Sequence, residues 1–167
     1  MTDDEELVAI ARTIVDTNDY MTLGTADADG HPWVSPVWYA PEAYRELFWL
    51  SSPEARHSRN LAARPELSIV IFDSQVRMGE GQAVYMSAVA AAPEGADRQR
   101  GLEIFSRRSL AHGGRAFTVG DLEPAGLLRL YRATVSEHWV LDPDLRPDQR
   151  RALDLGQEPR ATKEEAR

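Results

Sequence analysis

The sequence contains no cysteine, which excludes disulfides, thiolate zinc sites, iron–sulfur clusters and cysteine nucleophiles. Lysine is almost as scarce: of 19 basic residues, only Lys163 is not an arginine. Positive charge is in deficit, with 27 acidic residues and a formal net charge of −8, so a nucleic-acid backbone would be repelled. A local basic pocket for a small anion remains compatible with that balance. No apolar run reaches the ~18 residues of a membrane-spanning helix. Four of the first six residues, Asp3 to Glu6, are acidic, unlike the basic and then apolar start of a secretory leader, and with no cysteine present a cytoplasmic location is expected. What is present, 43% hydrophobic and 28% charged residues, is ordinary for a soluble globular chain. Its 167 residues suit a single domain, expected over 1–155, with a polar, mixed-charge and disordered tail over 156–167.

Residues 5–16 predict an amphipathic helix, because Leu7, Ile10, Ala11, Ile14 and Val15 share one face. Strands are expected at 20–26, 31–39, 46–51, 67–72, 75–91 and 126–141. Asp27-Ala28-Asp29-Gly30 is a strong turn signal that makes a hairpin of the first two. Pro32 and Pro36 restrict the second strand to an edge or a bulge. The fifth strand is expected to bulge at Gly79-Glu80-Gly81. Helices are predicted from Ser52-Pro53, read as N-cap and first position, to about Ala63, over 94–111, and as a short piece over 148–155. Six strands with short connections favour a small antiparallel barrel with helices at its ends, an α+β class dominated by β structure.

The informative stretch is Ser51-Ser52-Pro53-Glu54-Ala55-Arg56-His57-Ser58-Arg59. Hydroxyls at a strand end, a helix start and arginines in its first turn suit a phosphate, since free backbone N–H groups and forked guanidinium donors both bind anions. A capped helix with solvated arginines fits the same letters. The four histidines, His31, His57, His112 and His138, lack metal-ligand spacing, so no metal site is expected. No Gly-x-Ser-x-Gly elbow accompanies the serines near His57, which argues against hydrolysis.

Asp29-Gly30-His31-Pro32, Pro36-Val37-Trp38, Phe48-Trp49-Leu50-Ser51-Ser52, Arg56-His57-Ser58-Arg59-Asn60-Leu61 and Gln75-Val76-Arg77-Met78-Gly79-Glu80-Gly81 together resemble the pyridoxamine 5′-phosphate oxidase-like, FMN-binding split-barrel superfamily, over residues 5–141. The resemblance implies a six-stranded antiparallel split β-barrel that forms a homodimer, with FMN at the interface. It implies that Ser35, Pro36, Val37 and Trp38 run along the flavin ring. Ser51, Ser52, Arg56, His57 and Arg59 would hold the phosphate end, and Gln75 and Trp139 would reach the partner's flavin. Dimerisation would also cover Trp33, Trp38, Trp49 and Trp139, which a lone barrel of this size would expose. The basic pair is usually Arg-Lys in this superfamily and here is Arg56-His57. True pyridoxamine-phosphate oxidases carry Arg and Lys where this chain has Ser35 and Ala40, and an Arg-x-His motif that does not follow Trp139 here. An FMN-dependent oxidoreductase of unknown small-molecule substrate is therefore expected, rather than a true pyridoxamine-phosphate oxidase. An F420-dependent reductase and a non-catalytic flavin or haem carrier are the alternatives. No side chain stands out as a catalytic acid or base.

Overall fold

A computed structural model of the chain describes residues 3–142 and 149–156. Helix α1 spans Asp4–Thr17, with Asp3 accepting the Glu6 N–H at its start and Leu7, Ala11, Ile14 and Val15 on its buried face. Strands β1 (Tyr20–Ala26) and β2 (Pro32–Trp38) form the expected hairpin. The short β3 (Ala40–Glu42) then pairs with β4 (Glu46–Ser51), and Ala43 and Tyr44 make the turn with positive φ. The remaining elements are α2 (Arg56–Ala63), β5 (Glu66–Phe72), β6 (Ala83–Ala91), α3 (Gly95–Ala111), β7 (Arg129–Leu141) and β8 (Arg150–Leu153).

All eight strands join one antiparallel sheet in the order β2-β1-β5-β6-β7-β4-β3, with β8 added on β7. The six expected strands are present, and β3 and β8 extend them. The sheet curls without closing into a full ring, because β2 and β3 end it; this is the α+β split barrel. Pro32 and Pro36 lie in β2, an edge strand, where missing N–H groups leave no ladder bond unmade.

Alternation fills the inner face. Met21 and Leu23, Ile69 and Ile71, Val84 and Met86, and Ala133 and Val135 point inward and pack with Leu7, Val15 and Leu61 of the helices. A smaller cluster of Ala40, Phe48, Leu102, Ile104, Phe105 and Leu130 seats α3 on the other side of the β3–β4–β7 portion. Trp38 belongs there too, its ring 5.0 Å from that of Phe105.

Four expectations are corrected. Helix α2 starts at Arg56, because the Ser52 hydroxyl accepts the Glu54 N–H and its carbonyl accepts the Ala55 N–H. These bonds make a separate turn ahead of the helix. The long fifth strand is in fact a loop over 73–82 followed by β6, and the irregularity in its pairing lies at Ser87/Ala88 instead of the glycines. The segment read as a terminal helix is strand β8, whose register with β7 pairs Ala152 with Trp139. The apolar patch does not consist of four tryptophans, since Trp49 is fully buried and stacked on Tyr131. The expected tail falls, from residue 157, outside the described residues. Among the described residues no helix is long and apolar enough to cross a membrane.

Candidate functional site

At one end of the barrel, β2 and β4 bring their inward-facing serines to the start of α2. The Ser51 Oγ lies 2.8 Å from His57 Nε2, and the Ser35 Oγ lies 3.2 Å from His57 Nδ1. The imidazole thus bridges two strands that are separate in sequence. It is buried, and burial pushes its pKa below the ordinary value of 6.5, so the neutral ring is favoured. The whole buried face of α2 is more polar than apolar. Ser58 Oγ donates to the Ser52 carbonyl at 2.8 Å, and Asn60 Nδ2 donates to Thr25 Oγ1 at 3.0 Å. Hydrogen bonds, as well as Leu61, dock this helix.

No side chain caps α2, whose N-cap is Ala55. Its first backbone N–H groups therefore remain available to an anion. Arg56 sits over the Trp33 ring, its guanidinium carbon 4.3 Å from the ring centroid. Among the described residues neither Arg56 nor Arg59 has a carboxylate partner. In a chain with a net charge of −8, two uncompensated guanidinium groups beside an uncapped helix start form a local positive end.

The outward face of β1, β2, β5, β6 and the second half of β7 carries no helix. Two adjoining cavities of about 510 and 540 Å³ run across it and share Gly24, Val34, Ser68 and Ser87. Trp33 lines one of them. Val70, Tyr85, Trp139 and Arg150 line the other, where the Arg150 guanidinium lies 3.8 Å from the Tyr85 ring centroid. Val34 is 63% exposed and Val89 49%, so the floor of this groove is apolar and open to water.

The structure therefore brings together Ser35, Ser51, Arg56 and His57, with Ser52 in the adjoining turn and Arg59 exposed on α2. Trp139 is in the groove. Pro36 is exposed on the edge strand, whereas Val37 is in the core and Trp38 lies beneath α3. Gln75 is in the exposed 73–82 loop, its side chain donating to Ser74 Oγ at 3.3 Å. Sequence reading assigned no site role to Trp33, Tyr85 or Arg150. Only the pairing of β8 with β7 carries Arg150 to the groove, and no local pattern signals it. Asp27, Asp29 and His31 also approach one another, but the Asp27 carboxylate accepts the Asp29 and His31 N–H groups and so serves the hairpin turn.

No curated protein matches the chain. Among solved structures it resembles a haem-binding protein from Mycobacterium smegmatis (TM-score 0.70, 20% identity), covering 93% of this chain and 60% of that one. The chain thus spans less than two thirds of that relative's length. It also resembles an FAD-binding protein from Mesorhizobium loti (TM-score 0.59, 19% identity, 79% and 91% covered) and an F420 reductase (TM-score 0.52, 16% identity, 77% and 94% covered). At these identities the likeness is one of fold. Residues 7–125, most of the chain, match the family model described as pyridoxamine 5′-phosphate oxidase, and the chain accordingly belongs to that split-barrel family.

Proposed function

We propose that the protein is a homodimeric flavoprotein that binds FMN between its two copies and uses it as an oxidoreductase. The observation that carries this reading is the juxtaposition of a positive end with an apolar groove. The positive end is the uncapped start of α2 with Arg56 over Trp33, a residue that also borders the groove; Val34, Tyr85 and Trp139 line the groove itself. The residues fit the cofactor's two halves, a phosphate and a flat ring. Bound flavin supplies hydride or single-electron transfer, while the protein supplies binding, orientation and exclusion of water.

Arg56 and the α2 N–H groups hold the phosphate, and Ser51 adds a hydroxyl donor. Trp139 and Tyr85 wall the ring, and Arg150 places a cation over that wall. The groove is open on the solvent side, and a second copy laid against the bare sheet face closes it. That arrangement also brings the 73–82 loop, with Gln75, to the partner's site. Ser35 is engaged with His57 and Ala40 is fully buried, so neither offers the cations that a pyridoxamine phosphate would need. The substrate is therefore a different small molecule.

The test is titration of purified protein with FMN, followed by flavin fluorescence, alongside light scattering. Stoichiometric quenching by a dimer is expected. A monomer, or a protein that leaves FMN fluorescence unchanged, overturns the reading. F420 is the second reading, favoured by the paired exposure of Arg56 and Arg59, which suits a longer anionic tail. Parallel titration separates the two, and tenfold tighter F420 binding would select the deazaflavin.

A further inference from the structure

We infer that Trp33 is the positioning residue of the anion end, holding both Arg56 and the Ser35–His57–Ser51 chain in the arrangement that receives a phosphate. The inference rests on the phosphate-end reading above and names the residue on which that end depends. Trp33 acts through two different parts of its ring. Its face lies beneath the Arg56 guanidinium, 4.3 Å from centroid to carbon. Its indole N–H donates to Ser35 Oγ at 2.9 Å.

The first contact acts on freedom of motion. An exposed arginine has several rotatable bonds, and holding it costs conformational entropy on ligand binding. Stacking on an indole confines the guanidinium before the anion arrives. Trp33 is in turn anchored, because its carbonyl accepts Thr25 Oγ1–H at 3.3 Å, and Thr25 Oγ1 accepts Asn60 Nδ2–H from α2.

The second contact sets the direction of a hydrogen-bond chain. The indole nitrogen can only donate, so Ser35 Oγ accepts from it. Ser35 then gives its own hydrogen to His57 Nδ1, and the neutral imidazole carries its hydrogen on Nε2, which donates to Ser51 Oγ. The Ser51 hydrogen is left to point outward to an acceptor. The reverse polarity would leave the Ser35 hydrogen without a side-chain acceptor among the described residues and present no donor at Ser51. Donor counting thus assigns the polarity that suits an anion.

The experiment compares FMN with riboflavin, which has the ring but no phosphate, by fluorescence titration of wild type, Arg56→Ala, Trp33→Leu and Trp33→Phe. Arg56→Ala is expected to weaken FMN at least tenfold and riboflavin less than twofold, which checks the phosphate end itself. Trp33→Leu is expected to do the same. Trp33→Phe, which keeps a ring face but no N–H, should give a smaller, still FMN-selective loss. If Arg56→Ala is selective and both Trp33 variants leave FMN affinity unchanged, or weaken both ligands equally, the role given to Trp33 is wrong and the phosphate end stands. If Arg56→Ala itself shows no selectivity, both fall. Should Trp33→Leu fail to fold, Trp33→Phe alone decides by the same criterion.

Discussion

Replacing Ser51 by alanine removes one of the two partners of a buried imidazole. In the wild type, His57 has a serine hydroxyl on each ring nitrogen, at 2.8 Å on Nε2 and 3.2 Å on Nδ1, and its residue surface is 8% exposed. Leaving a buried polar atom unpaired costs about 1–3 kcal/mol. Ser51 is itself only half-buried, so water reaches the vacated position and the lower half of that range applies, about 1–2 kcal/mol. For a chain of this size each kcal/mol moves the melting temperature by about 2–4 °C, so Ser51→Ala should melt roughly 2–8 °C lower. Ser51→Thr keeps the hydroxyl and suits a strand, and it should stay within about 0.5 kcal/mol of wild type. Thermal and urea denaturation by circular dichroism measure both. If alanine and threonine variants melt together with wild type, His57 does not depend on Ser51 and the bridge described above is not a structural element.

Three further outcomes follow from the same structure. His57 and His138 are both held below the ordinary histidine pKa by burial, so the folded state binds fewer protons than the unfolded one. Their contribution is complete above about pH 6.5 and is lost as pH falls through their lower folded values. Urea midpoints should therefore drop from pH 8 to pH 5, and a flat or rising profile contradicts the burial. Gly101 on α3 faces Phe48 and Leu130, and a Cβ built there would lie 2.6 Å from Phe48 Cε1 and 2.9 Å from Leu130 Cδ2. Gly101→Val should consequently destabilise by about 1–3 kcal/mol despite its better helix propensity, and an unchanged melting temperature would mean that α3 is not packed this closely. Val34→Glu places a charge on the open sheet face and should give a folded monomer by light scattering and circular dichroism, whereas a persisting dimer would locate the interface elsewhere.

Local signals were enough for the elements whose stability is local. The apolar stripe of Leu7, Ala11, Ile14 and Val15 predicts α1, and the edges of β1 and β4 coincide with the expected strands. Of the two placements the prolines allow for β2, an edge or a bulge, the sheet order shows the edge. The loop over 73–82 and the strand β8 were misread. Apolar letters around Val76 and Met78 resemble a strand, but both side chains are exposed; Arg150–Leu153 becomes a strand only because β7 offers it an edge. Helix α2 began later than its letters suggested, since Ser52 caps a turn and not the helix.

By itself, then, the sequence determined the α+β class, six of the eight strands and the identity of the polar residues near Arg56, because periodicity and turn chemistry are readable within short windows, and the order of its motifs pointed to the family. The tertiary structure decided which of those residues meet. Ser35 and Ser51 reach one imidazole because the barrel brings the middle of β2 and the end of β4 to the two ring nitrogens of His57, and Trp33 comes under Arg56 across 23 positions of chain. Trp38 and Trp139, alike on paper, part to opposite duties, one beneath α3 and one in the groove. The physical reason is that side-chain hydrogen bonds and ring contacts across a sheet depend on register and curvature, which only the packed barrel supplies.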